Sequence, residues 1–211
     1  MPQSLSKSSV ETSNKARVIL GAARSVFFDH GFFLATTDMI QRLAGVSKST
    51  MYYYFPNKEA LFIAVIEVEC DAIANAIEQS MDHSSEPSER LAELGRRYLR
   101  LAASRQTTSL YRAIISEARR FPELALYFYT CGPKRAMDLM TAQIEHCLTD
   151  GVMNAKGSSA AIIARHFIEM LRGDAQMRIL TGKTDELRPE EIERIVKEAV
   201  SVLVDAYGVS R

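Results

Sequence analysis

The chain has no tryptophan, and among its 211 residues are only three cysteines and four histidines. Cys70, Cys131 and Cys147 are odd in number and show no paired spacing, which excludes a disulfide framework. His146-Cys147 lacks a partner pair at ligand spacing, so no metal site is expected and buried, reduced thiols are the simplest account. His30, His83, His146 and His166 are scattered and supply neither a nucleophile–base set nor a metal cluster. An enzyme is therefore not expected, nor a cofactor. No apolar run approaches the length of a membrane span, and no apolar signal segment opens the chain. A cytoplasmic protein is expected. Strand-like alternation and glycine-rich phosphate loops are also missing, which leaves an all-α fold. The composition, 47% hydrophobic and 25% charged, is ordinary for a globular protein.

The formal net charge is zero, yet it is unevenly spread. Residues 1–60 hold seven basic side chains (Lys7, Lys15, Arg17, Arg24, Arg42, Lys48, Lys58) against four acids (Glu11, Asp29, Asp38, Glu59), leaving +3 there and −3 in the remainder. Within that basic part, residues 31–61 read as two short helices, a tight turn between them, and the start of a third. Thr36 and Thr37 are N-cap residues ahead of Met39, Ile40, Leu43 and Ala44 at helical spacing. Gly45 supplies the left-handed stop, Val46 plugs the angle, and Ser47 caps the next helix. Pro56 ends that helix, Asn57 caps another, and Lys58 lies in its first turn beside a helix N-terminus suited to phosphate.

This is a helix-turn-helix pattern, in which the second helix enters the major groove of DNA. Its leading residues here are Lys48, Ser49 and Thr50, followed by Tyr52, Tyr53 and Tyr54, with Phe55 as an anchor into the small domain. Donors of this kind reach phosphates and base edges, and the tyrosine rings can rest on sugar or thymine methyl groups. A tyrosine run is also consistent with a packed aromatic cluster or a protein interface. The modest excess of positive charge implies affinity from well-placed contacts in a dimer more than from bulk charge.

Residues Lys15 to about Glu67 resemble the DNA-binding domain of the TetR family of bacterial repressors. The resemblance rests on Phe28, Gly31 and Phe32, then Ala44-Gly45-Val46-Ser47, then Tyr52, Tyr54 and Phe55, then Lys58, Glu59 and Leu61. It implies phosphate contacts from Thr37, Ser47, Tyr52, Tyr54 and Lys58, and base-proximal roles for Lys48, Ser49, Thr50 and Tyr53; Thr36, at the cap beside them, is counted with the DNA-binding residues. The chain departs from the family at Ser49, usually Gly, at Gln41, usually small and apolar, and at Ala35, usually Thr. Ser49 keeps the backbone further from DNA while adding a hydroxyl. Leu110 to Val152 resembles the regulatory domain of the AefR-like branch through Glu117, Arg119, Arg120, Phe121-Pro122-Glu123-Leu124 and Gly132-Pro133.

Beyond the small domain the chain reads as helices throughout. Residues 1–12 are expected to be a flexible arm, 13–60 a three-helix DNA-binding domain, and 61–211 a larger helical ligand-binding and dimerisation domain. The first helix is placed over 14–30, burying Val18, Ile19, Ala22, Val26 and Phe27. A connector helix runs from Asn57 towards Ser80. Further helices follow over 88–103 and 106–119, then a long or kinked one from the Phe121-Pro122 turn to Gly151. The last two are placed over 158–181 and 189–207.

The regulatory half is rich in methionine and aromatics, which suit either core filling or an adaptable apolar cavity. Phe128, Met137, Met140 and Met170 are the candidate lining, with Arg112, Glu117 and His166 as polar residues that orient a ligand or pair with one another. In the final helices, Phe167, Met177, Ile192, Ile195, Val196, Ala199, Val202 and Leu203 form stripes that are either core or interface. By the family resemblance these helices build a dimer that binds a palindromic double-stranded operator, and a small, largely apolar effector releases it. The residues alone leave open a regulator without a ligand switch, and behind it a helical protein-interaction adaptor.

Overall fold

A computed structural model describes residues 7–79, 86–151 and 153–208, apart from the side chains of 7–13 and 87. Among them lie ten α-helices and no strand: α1 (Lys7–Leu34), α2 (Thr37–Ala44), α3 (Lys48–Tyr54), α4 (Lys58–Glu78), α5 (Pro87–Ala102), α6 (Arg105–Glu117), α7 (Pro122–Tyr129), α8 (Arg135–Thr149), α9 (Ala160–Leu180) and α10 (Pro189–Tyr207). A π-helical turn, Thr130–Lys134, joins α7 to α8. Pro133 inside that turn cannot donate a backbone hydrogen bond, and a π turn is one way a helix absorbs the defect. Residues 7–12, read from sequence as part of an arm, belong to α1, and 1–6 lie outside the described residues.

The chain divides into two compact units. One holds the chain to Val68 together with Arg112–Tyr127; the other holds Glu69–Tyr111 and the chain from Phe128 onward. The division at Val68 falls inside α4, past the boundary at residue 60 expected from sequence.

In the first unit, Phe27, Phe32 and Phe62 are fully buried against one another, with ring centroids 4.8–5.9 Å apart. Ile19, Ile40, Met51 and Leu61 complete this core. Val18, expected inside, is 46% exposed, because it lies off the stripe that faces the phenylalanines. Helical geometry lapses at Gly31 (φ 71°), a conformation that glycine adopts without steric cost. Phe121 meets Phe32 edge-on at 4.9 Å, and the Arg120 guanidinium sits 3.7 Å from the Phe33 ring centre. These contacts explain why the turn after α6 belongs to this unit, although it is distant in sequence.

The second unit is a helical bundle in which α8 packs on α9, and α5 and α9 pack on α10. Its core includes Leu91, Leu99, Met140, Ile144, Ile163, Phe167, Leu171, Val196 and Leu203. Ser159 caps α9 by accepting from the Ile162 amide, and Pro189 starts α10 with Glu190 and Glu191 in the first turn, where carboxylates complement the helix dipole. Gly95 on α5 allows close packing. A β-carbon there would lie 3.1 Å from Phe167 and 3.2 Å from Leu171.

Candidate nucleic-acid interface

The local chemistry of residues 36–57 fixes two short helices and the turn between them. Thr36 accepts from the Met39 amide at 3.2 Å and starts α2. Gly45 ends it in the left-handed conformation (φ 64°, ψ 31°), and its amide reaches back to the Arg42 carbonyl. Ser47 Oγ then accepts from the Thr50 amide at 3.1 Å and starts α3. Asn57 Oδ1 accepts from the Ala60 amide at 2.7 Å and starts α4. Of the apolar set assigned to α2, Ile40 is buried, whereas Leu43 is 60% exposed.

Met51 anchors α3, being only 1% exposed. With that residue held inside, the rest of the helix has to present its polar side chains outward. Lys48, Ser49, Tyr52 and Tyr53 are exposed, and Tyr53 is 79% so. Thr50, Tyr54 and Phe55 are half-buried. Ser47 Oγ is linked to Ser49 Oγ at 2.9 Å and to Thr50 Oγ1 at 2.8 Å, so the serine that replaces glycine has joined the cap network. Tyr52 Oη lies 3.2 Å from Thr37 Oγ1, tying α3 to the start of α2. The Tyr53 and Tyr54 rings meet edge-on, 5.1 Å apart.

Lys48 Nζ pairs with Asp38 at 2.9 Å, and both side chains are exposed. The hydrogen bond between them, backed by charge attraction, raises the Lys48 pKa and lowers that of Asp38. The pair therefore stays fully charged at neutral pH, and solvent keeps its contribution to stability small. Its importance lies in geometry. Asp38 restrains the lysine near the start of α3.

Lys58 is placed differently from the phosphate clamp expected of it. Its ammonium turns inward and donates to the carbonyls of Phe32 (2.9 Å) and Ala35 (3.1 Å), with Phe33 at 3.4 Å. It also lies 4.5 Å from the centre of the Phe32 ring. The carbonyls left unpaired where α1 ends attract the cation, so Lys58 joins α4 to α1 inside the unit.

Within the second unit, a cavity of about 20 Å³, room for one water, is lined by Glu69, Cys70, Ile73, Tyr98, Thr107, Leu110, Tyr111, Phe128 and Gly132, among others. Burial raises the pKa of both Tyr98 and Tyr111, which remain neutral hydroxyl groups. Of the candidate ligand residues, Phe128 lines this cavity. Met140 is fully buried in the core instead, and Met137 and Met170 pack against that core. His166 is exposed, 3.3 Å from Tyr207 Oη through Nδ1, and Arg112 is an exposed residue of the first unit. The lining residues that sequence reasoning missed, Glu69, Tyr98, Thr107 and Tyr111, come from three helices and share no local motif.

The final stripes also need correction. Phe167, Ile192, Val196, Ala199 and Leu203, read as interface candidates, are buried within the single chain. Their spacing marks the side facing α5, α8 and α9, where core packing already consumes them. Met177 (60% exposed), Val202 (52%) and the half-buried Ile195 remain on accessible faces. Ile162 on α9, 40% exposed, was not among the candidates.

An all-helical fold with a helix-turn-helix in one unit and a helical bundle in the other defines a DNA-binding transcriptional regulator. Residues 19–65 match the family of bacterial regulatory proteins, tetR family, and residues 89–209 match the C-terminal domain of AefR-like transcriptional repressors. The chain belongs to the TetR family. Over 60 residues it is 48% identical to the HTH-type transcriptional regulator RutR of Escherichia coli K12, a match spanning 28% of each chain. It is 34% identical over 73 residues to the HTH-type transcriptional activator FasR of Mycolicibacterium smegmatis, 35% of this chain and 33% of that one. The chain thus matches only about a third or less of these relatives' lengths. Among solved structures, the flavonoid-responsive regulator FrrA is 29% identical, with a TM-score of 0.72 over 94% of this chain and all of that one. A candidate TetR-family regulator from Mesorhizobium loti MAFF303099 shares the fold, with a TM-score of 0.85 at 24% identity over 94% of this chain and 98% of that one. Among the described residues no helix is long and apolar enough to cross a membrane, and no group of side chains is placed to hold a metal ion.

Proposed function

We propose that the protein is a homodimeric repressor that reads a palindromic operator through α3 and is released from it by a small, largely apolar effector. One observation carries the DNA-reading part. A short helix pinned by buried Met51 turns Lys48, Ser49, Tyr52 and Tyr53 outward behind a capped turn. Thr36 and Thr37, Ser47, Tyr52 and Tyr54 are assigned to the cap and phosphate contacts. Lys48, Ser49, Thr50 and Tyr53 are assigned to the groove. Lys58 holds the end of α1 and acts on DNA only by positioning α4.

The dimer face is assigned to the accessible apolar side chains of α9 and α10: Ile162, Met177, Ile195 and Val202. A two-fold dimer suits a helix-turn-helix reading two half-sites. The effector site is assigned to the cavity lined by Tyr98, Tyr111, Thr107 and Phe128, whose hydroxyls and rings suit a flat, hydroxylated apolar molecule. The naming of FrrA as flavonoid-responsive supports an effector of that shape. Room for one water means that the cavity has to widen on binding, which gives an effector different affinities for two conformations. The test is fluorescence anisotropy with DNA from immediately upstream of the protein's own gene, at two salt concentrations and with planar aromatic compounds added. Saturable binding by two protomers, tighter than to scrambled DNA and reversed by such a compound, is expected. Equal affinity for scrambled DNA overturns the operator reading, and binding that no such compound weakens favours a regulator without a ligand switch.

A further inference from the structure

Two of the three cysteines, far apart in sequence, meet inside the second unit. Cys70 Sγ on α4 and Cys131 Sγ on the π-helical turn are 3.3 Å apart, and both side chains are thiols. The approach is built into both elements. Gly132 leaves the space that Cys70 occupies, since a β-carbon there would lie 3.1 Å from the Cys70 sulfur. Arg135, just past the turn, pairs with Asp71, next to Cys70, and holds α8 against α4. Neither thiol is used by the proposed DNA interface, and Cys70 lines the cavity.

We infer that Cys70 and Cys131 are a redox-active pair, which hydrogen peroxide converts into an intrachain disulfide between α4 and the π-helical turn. The two sulfurs differ in access, and that sets their order. Cys131 is partly exposed and Cys70 is 4% exposed, so the oxidant reaches Cys131 first. The contact with Cys131, and then burial, raises the Cys70 pKa well above the usual thiol range, so the buried sulfur is the second to react. The Cys131 thiolate attacks one peroxide oxygen and the O–O bond breaks. A sulfenic acid forms on Cys131, and the departing oxygen takes a proton to leave as water. Cys70 sulfur then attacks Cys131 sulfur, the S–O bond breaks, and the hydroxide leaves with the Cys70 proton as a second water. The two thiols lose two electrons and the peroxide gains them. To close the bond the sulfurs must approach by about 1.3 Å, from 3.3 Å towards the usual ~2.05 Å.

The bond would fix α4 at Cys70, two residues past the end of the first unit on the same helix, and would stiffen one wall of the cavity. An effect on operator affinity rests on the DNA-binding reading; the disulfide itself does not. The experiment treats the reduced full-length chain with stoichiometric hydrogen peroxide, alkylates it with N-ethylmaleimide under denaturing conditions, and maps the peptides by mass. The expected result is one alkylated cysteine, Cys147, and a Cys70–Cys131 peptide pair 2 Da lighter than the two free peptides. Cys147→Ser keeps the cross-link. Cys131→Ser abolishes it, and Cys70→Ser leaves a Cys131 sulfenic acid that dimedone traps. Three alkylated cysteines after peroxide, a cross-link between chains, or a bond to Cys147 overturns the inference. Operator affinity of the oxidised chain is the second readout, expected to change at least fivefold and to return on reduction with dithiothreitol. A cross-link without that change supports the redox pair and overturns its regulatory use.

Discussion

Replacing Lys58 with methionine separates two roles that one lysine at a helix N-terminus can have. If the ammonium held a DNA phosphate, Lys58→Met would leave stability unchanged, weaken binding to all sequences alike and reduce the salt dependence by about one ion. The structure commits that ammonium elsewhere, to the carbonyls of Phe32 and Ala35 and the Phe32 ring. Hydrogen bonds from a charged group contribute about 1.5–3 kcal/mol, and a cation–π contact at a partly exposed site about 0.5–1 kcal/mol. Methionine fills much of the space but leaves both carbonyls unpaired. The expected cost is therefore about 2–4 kcal/mol, or a fall in melting temperature on the order of 10 °C for a chain of this size. Thermal denaturation by circular dichroism measures the first quantity, and anisotropy titrations at several salt concentrations measure the second. Unchanged melting with a reduced salt slope would instead place the ammonium on a DNA phosphate.

Other substitutions test neighbouring parts of the account. Lys48→Ala should weaken operator binding and lower its salt slope by about one ion, with melting unchanged because the Asp38 pair is exposed. Gly95→Ala should destabilise the bundle by about 1–3 kcal/mol in chemical denaturation, against the usual gain from Gly→Ala in a helix, because the added carbon meets Phe167 and Leu171. Val202→Glu should give a folded monomer by light scattering, since Val202 is 52% exposed in the single chain. Val196→Glu should fail to fold, because Val196 is 1% exposed in the core.

The elements that could be read from the sequence are those that local chemistry dictates. Thr36, Gly45, Ser47, Pro56 and Asn57 start and stop helices within a few residues of themselves, so α2, α3 and the head of α4 lie where those residues place them. The same holds for α10, opened by Pro189. Periodicity failed where two demands share one signal. An apolar stripe on α10 looks the same whether it faces α5 and α9 or a second chain, and burial assigns Ile192, Val196, Ala199 and Leu203 to the first. Contacts distant in sequence carry no local mark at all. Nothing near Phe121 announces that it packs on Phe32, and nothing near Tyr98 announces that it shares a cavity with Cys70 and Phe128. Lys58 shows the limit most sharply. Its position in the motif was legible, but the direction of its side chain depends on where α1 ends.

In the proposed repressor, α3 reads a specific sequence on behalf of two chains. The most direct test is selection of bound duplexes from a random-sequence DNA library, run in parallel with the wild-type protein and Tyr53→Ala. Tyr53 is the most exposed large side chain of α3, 79% accessible, and it has no core role to lose. The expected result is an inverted repeat enriched by the wild type, with half-sites about one helical turn apart, and enrichment lost or redirected at the positions facing Tyr53 in the variant. A library that stays random under the wild-type protein, or the same repeat selected by both, would contradict it.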